Sequence, residues 1–77
     1  MTTNKITTLN RVITKIPGNQ ECIIRDYLSQ AHYAVGAVNE IISKVLDYNI
    51  EMRNSQVYGI SIEGNNIICI DILFLED

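Results

Sequence analysis

Apolar residues recur along the start of the chain at helical steps. Ile6, Leu9, Ile13 and Ile16 are three or four residues apart, with Lys5, Thr7, Thr8, Asn10, Arg11, Thr14 and Lys15 between them. Such spacing puts the apolar side chains on one stripe and predicts a short first helix, although the Thr, Val and Ile content would also suit a strand. Pro17 and Gly18 then interrupt the pattern, because proline disfavours helix at the residue before it and glycine takes turn angles readily. Asn19 stands where it could cap a second helix.

The strongest periodicity runs from Gln20 to about Tyr48. Ile24, Leu28, Ala31, Val35, Val38, Ile42 and Val45 alternate in steps of four and three, as in a heptad seam. A second apolar column, Tyr27, Ala34, Ile41 and Tyr48, runs beside it. Arg25, Ser29, His32, Gly36, Asn39 and Ser43 lie opposite, so the segment is predicted to be one long amphipathic helix. Ala31, Ala34, Gly36 and Ala37 would make its middle slender. The period is lost over Asn49 to Ser55, which marks a turn. Beyond it, Val57–Glu63 and Ile67–Leu75 flank Gly64, Asn65 and Asn66 and are predicted to form a β-hairpin. A three-residue loop sets Ile62 opposite Ile68, Ile60 opposite Ile70 and Tyr58 opposite Ile72.

The expected architecture is therefore a single α+β domain over residues 1–77: a short N-terminal helix, one long amphipathic helix and a C-terminal hairpin. A helix of roughly 30 residues spans about 45 Å, whereas strands of seven residues reach only about 23 Å. The hairpin cannot cover such a rod, and the last strand offers a very apolar edge. Dimerisation through the helix seam, through strand edges, or through both, is the expected remedy.

Composition narrows the function classes. The 77 residues are 47% apolar and 19% charged, which suits a folded chain rather than a disordered or membrane-spanning one. Neither a signal-peptide pattern nor a bilayer-length apolar run is present, so a cytoplasmic location is expected. The net charge is −3 and the six Lys and Arg residues are scattered, which disfavours nucleic acid as a direct partner. Cys22 and Cys69 are too few for a disulfide framework and suit a reducing compartment as small buried hydrophobes. With His32 they make three soft ligands at no recognised spacing, so neither a metal nor another cofactor is expected.

Candidate chemistry is sparse. On a continuous helix His32 would stand some 15 Å from Cys22, so a Cys–His pair could form only between subunits. Asp26, Glu40 and Asp47 would share one helical column with Tyr33, about 10 Å apart per heptad and thus too distant for a carboxylate dyad. An aromatic residue flanked by acids fits protein recognition better, since tyrosine is enriched at binding hot spots. The plainer alternative packs Tyr33 under the first helix and leaves the acids as solubilising charge. Gly64-Asn65-Asn66 lacks the glycine spacing, the lysine and the following helix of a phosphate loop. The function expected from these residues is a non-enzymatic interaction module, a small regulator, adaptor or inhibitor with Asp26, Tyr33, Glu40 and Asp47 against a protein partner. The competing expectation is a small-molecule or nucleotide binder with a pocket between subunits near Ala31 to Ala37, where His32 and Tyr33 would supply polar contacts.

Overall fold

A computed structural model describes residues 7–74 of the chain. Strands dominate it. In chain order the elements are α1 (Leu9–Ile13), β1 (Glu21–Asp26), β2 (His32–Ala37), α2 (Val38–Lys44), a 3-10 turn (Leu46–Tyr48), α3 (Ile50–Arg53), β3 (Gln56–Glu63) and β4 (Ile67–Leu73). The four strands form one mixed sheet in the order β2-β1-β4-β3. β1 runs antiparallel to β2 and parallel to β4, while β3 and β4 are antiparallel.

The long helix expected over Gln20 to Tyr48 does not form. Its first part is β1, in which Cys22, Ile24 and Asp26 are buried in alternation with the less buried Ile23 and Arg25. Alternation of this kind is the signature of a strand with one face against a core. Consecutive β-branched residues, Ile23 and Ile24, favour the extended backbone. Gln30 then adopts φ 68° and Gly36 φ 146°, angles that no helix contains. Three residues of the supposed seam are consequently in solvent: Ala31, Leu28 at 72% and Val35 at 63% exposure. Only the last part of the period is helical: α2 buries Val38 and Ile41 and half-buries Ile42.

Two further corrections follow from this one. A dimer through a continuous helix seam has no seam to use, and the need for a partner to cover a 45 Å rod disappears in a body of 36 × 29 × 23 Å. The strand expected to offer an apolar edge, Ile67–Leu75, supplies β4, which lies between β1 and β3 and has no free edge; Leu75 lies outside the described residues. Asn19 caps no helix, because a strand follows it.

Other expectations hold in part. The first helix is reduced to five residues, begun by Thr8, whose hydroxyl accepts from the Arg11 amide at 3.3 Å. Leu9 and Ile13 are buried as the stripe requires, and Ile16 packs against the core from the turn that follows; Ile6 lies outside the described residues. The hairpin forms with Ile62 opposite Ile68 and Ile60 opposite Ile70. A bulge between Val57 and Gly59 places Val57, rather than Tyr58, opposite Ile72. The turn contains Gly64 at φ 53° and Asn66 at φ 71°, the residue types that tolerate such angles.

The helical segments cover one face of the sheet. Leu9, Ile13, Val38, Ile41, Leu46 and Met52 come from them, and Cys22, Ile24, Ile70 and Ile72 meet them from β1 and β4, with Phe74 just beyond β4. The opposite face carries Ile23, Arg25, Cys69 and Asp71 on the two central strands.

Candidate functional site

The four residues expected on one helical column stand on four different elements. Asp26 ends β1, Tyr33 is in β2, Glu40 is in α2 and Asp47 is in the 3-10 turn. Two of them are brought together by the β1–β2 connection. Asp26 is buried at 8% exposure and accepts from the Ser29 amide at 2.6 Å and from the Tyr33 hydroxyl at 3.0 Å. The loop is closed further by the Asp26 amide to the Ala31 carbonyl, 2.7 Å. Hydrogen bonds from the Ser29 backbone and side chain, ahead of that from Tyr33, hold the Asp26 carboxyl below its ordinary value of 3.8. Tyr33 also meets Phe74 edge-on, with ring centroids 5.8 Å apart. Asp26 and Tyr33 therefore shape a loop and close the end of the core.

His32 is exposed on β2 and sits opposite Arg25. A narrow cleft between β2 and α2 is lined by Ala34, Val35, Glu40, Ile41 and Lys44, not by His32 or Tyr33. A wider, open hollow at the start of β3 is lined by Thr8, Glu51, Asn54, Gln56 and Leu73.

The thiols are poor nucleophiles where they stand. Burial pushes Cys22 up from 9.0 to about 11, and burial likewise raises Cys69. Their backbone positions place them on opposite faces of the sheet, since Cys22 pairs with Ile68 and Cys69 with Ile23. Above Cys69, Arg25 binds Asp71 with two bonds, Nε to Oδ1 at 2.7 Å and Nη2 to Oδ2 at 3.3 Å, and reaches Glu63 at 3.6 Å. This network joins β1, β4 and β3 across the sheet and leaves the guanidinium engaged. Among the described residues no group of three His, Cys, Asp or Glu side chains could hold a metal ion.

A different corner gathers exposed aromatic, apolar and acidic groups. The chain leaves α2 through the 3-10 turn, where Leu46 is buried and anchors the segment. Its neighbours point the other way: Tyr48 is 84% exposed, and Ile50, at the start of α3, is also in solvent. Asn49 lies between them with its side chain turned to cap α3, accepting from the Met52 amide at 3.1 Å. Asp47 and Glu51 flank the pair and are both exposed. Arg53 ties the corner down, bonding Asp47 at 3.1 Å and Asn10 of α1 at 2.7 Å. Of the acids expected at a binding face, Asp47 belongs to this corner and Glu40 is exposed one helix away. Tyr48 and Ile50 were not among the expected site residues. The signal available for them was an aromatic at the point where the helical period fails, followed by an isoleucine in a polar turn.

Comparison of the chain with protein-family models, with curated proteins and with solved structures finds no match.

Proposed function

We propose that this chain is a non-enzymatic protein-interaction module, a small regulator, adaptor or inhibitor that docks through the corner Asp47–Glu51. The observation that carries this reading is Tyr48, the most exposed of the large hydrophobic side chains among the described residues, held on an anchored turn beside exposed Ile50. A large apolar side chain fixed in water gives up little conformational entropy on binding and gains the full transfer energy of its surface. Glu51, with Asp47 shared with Arg53, sets the chemistry of the partner: a surface with an apolar notch for Tyr48 and Ile50 and a basic group facing Glu51. The raised pKa values of both thiols favour this reading over nucleophilic catalysis. Two unpaired cysteines suit a cytoplasmic setting, and no helix among the described residues is long and apolar enough to cross a membrane.

The test is site-specific photocrosslinking in cells that make the chain. A benzophenone amino acid at Tyr48 should yield one discrete heterologous adduct, and the same probe at Ser43 should not. Tyr48→Ala with Ile50→Ala should abolish capture of that adduct partner by the purified chain and leave the melting curve within about 0.5 kcal/mol of wild type, as expected for exposed side chains. Equal adducts from both positions, or undiminished capture by the double variant, would remove this corner from the account.

A further inference from the structure

β2 lies at one end of the sheet, and among the described residues no strand pairs with its outer side. The ladder fixes which of its backbone groups face outward. The Val38 amide donates to the Gln20 carbonyl at 3.0 Å, a bond that brackets the pair Glu21–Ala37. Facing residues of an antiparallel ladder alternate between bonded and non-bonded pairs, so Gly36 and Ala34 bond to β1 and Val35 turns its N–H and C=O away from it. Alongside this rim runs the cleft between β2 and α2, about 290 Å³ in volume. That is just under the range of drug-sized ligand pockets, about 300–1,000 Å³, and suits an inserted side chain better than a metabolite.

The cleft has an apolar floor of Ala34, Ile41 and Val45, with exposed Glu40 and Lys44 at its mouth. Glu40 leans over the strand, its Oε1 3.3 Å from where a Cβ on Gly36 would stand. α2 starts at the Ala37 end and lines the cleft as far as Val45, so it runs back along β2. Lys44 therefore stands about 6 Å, four helical residues, nearer the His32 end than Glu40. Among the described residues neither charge is in an ion pair. The ends of the chain are too short to fill the cleft. Residues 1–6 extend at most about 22 Å from Thr7, which lies outside β3 and five strand spacings, about 24 Å, from the outer side of β2. Residues 75–77 extend at most about 11 Å from Phe74, which is about 22 Å from the rim at Val35, five strand steps along and three spacings across. A second copy of β2 would turn only Ala34 and Gly36 toward the cleft, side chains too small to occupy it.

We propose that this cleft receives an extended peptide segment of a partner protein, added to β2 as a fifth, antiparallel strand. The rim offers one outward donor and acceptor on the same residue, and in the antiparallel arrangement a single facing residue takes both bonds of Val35. The charges at the mouth fix what the segment carries. A basic residue beside Gly36 meets Glu40, an apolar residue beside Ala34 enters the cleft against Ile41 and Val45, and an acidic residue two places further on meets Lys44. The residue between the first two lies on the other face next to the exposed Val35 side chain, where a β-branched type packs well. This surface uses neither Tyr48 nor Ile50, so it stands or falls separately from that corner.

Titration of the isotope-labelled full chain with the capped peptide Ser-Arg-Val-Leu-Thr-Glu-Ser, followed by amide NMR, tests it. Saturable shifts should centre on the Val35 and Lys44 amides, and the Val35 amide should become protected from hydrogen exchange. The charge-exchanged peptide Ser-Glu-Val-Leu-Thr-Arg-Ser should bind at least about fivefold more weakly. Glu40→Lys combined with Lys44→Glu, both at exposed positions, should reverse that preference and leave the rest of the spectrum in place. Methylating the valine nitrogen of the first peptide removes the donor to the Val35 carbonyl and should abolish binding. A first peptide that does not saturate by about 5 mM overturns the proposal, as do equal binding of the two charge orders and undiminished binding of the methylated peptide. A Val35 amide already protected in the free chain also overturns it. Protection that grows with chain concentration then assigns the rim to a second copy, and protection independent of concentration assigns it to the chain itself.

Discussion

Asp26 accepts bonds from two partners that belong to the same short connection, Ser29 within the turn and Tyr33 just beyond it. Because these bonds favour the ionised form, its folded pKa lies below 3.8, and the unfolded chain binds the proton more tightly. The stabilisation is thus fully present above about pH 4 and is lost as the pH falls through the lower folded value. Asp26→Asn should lower the melting temperature at pH 7 and flatten the acid limb of a plot of melting temperature against pH. An unchanged acid limb would mean that Asp26 is not the titrating group. At this scale the sequence was partly legible. Cysteine in apolar runs predicts buried thiols, and both are buried. The partnership of Asp26 with Tyr33 was visible only as a spacing of seven, which a helix and a looped hairpin can both produce. Tyr48 illustrates the reverse problem, since its type suggests burial and only the direction of the anchored turn exposes it.

Among the elements, β4 bears the most weight. It pairs on both sides, and Ile70 and Ile72 are fully buried between the sheet and the helical layer. Ile70→Ala should cost about 2–5 kcal/mol, the usual range for removing a buried isoleucine side chain beyond Cβ, measured as a shift of the urea midpoint at constant slope. A loss below about 1 kcal/mol would show that Ile70 is not central. The hairpin of β3 and β4 was legible because turn residues and alternation agree, and local agreement leaves a register little freedom. The segment from Gln20 to Tyr48 reads as one helix because a step of seven residues recurs in it, while the extended preference of Ile23-Ile24 and the turn angles at Gln30 and Gly36 break it into strand, loop, strand and, from Val38, short helical turns. Helix period and propensity disagreed there, and cross-strand pairing with β4 and β2 decided between them.

At the scale of the whole molecule, the two thiols report on global opening. Cys22 faces the helical layer and Cys69 lies under the Arg25–Asp71 bridge, both buried on the two central strands. Modification by a water-soluble disulfide reagent at pH 8 should therefore be slow in the native state, with both cysteines reacting at the same rate, and complete at once in denaturant. Fast labelling of either one alone would place it in a locally opening unit. What the residues determined unaided was short-range: the stop at Pro17-Gly18, the apolar stripe of Leu9 and Ile13, the three-residue hairpin loop and the small acidic charge. These depend on backbone angles and neighbours a few positions apart. Which strand became central, which edge was left open and which apolar residues stayed in water were decided by the tertiary structure. The parallel pairing of β1 with β4 joins residues some 46 positions apart, Ile24 with Ile70 among them. No local pattern carries that choice, because it is the competition among all possible strand partners for a single apolar layer that selects it.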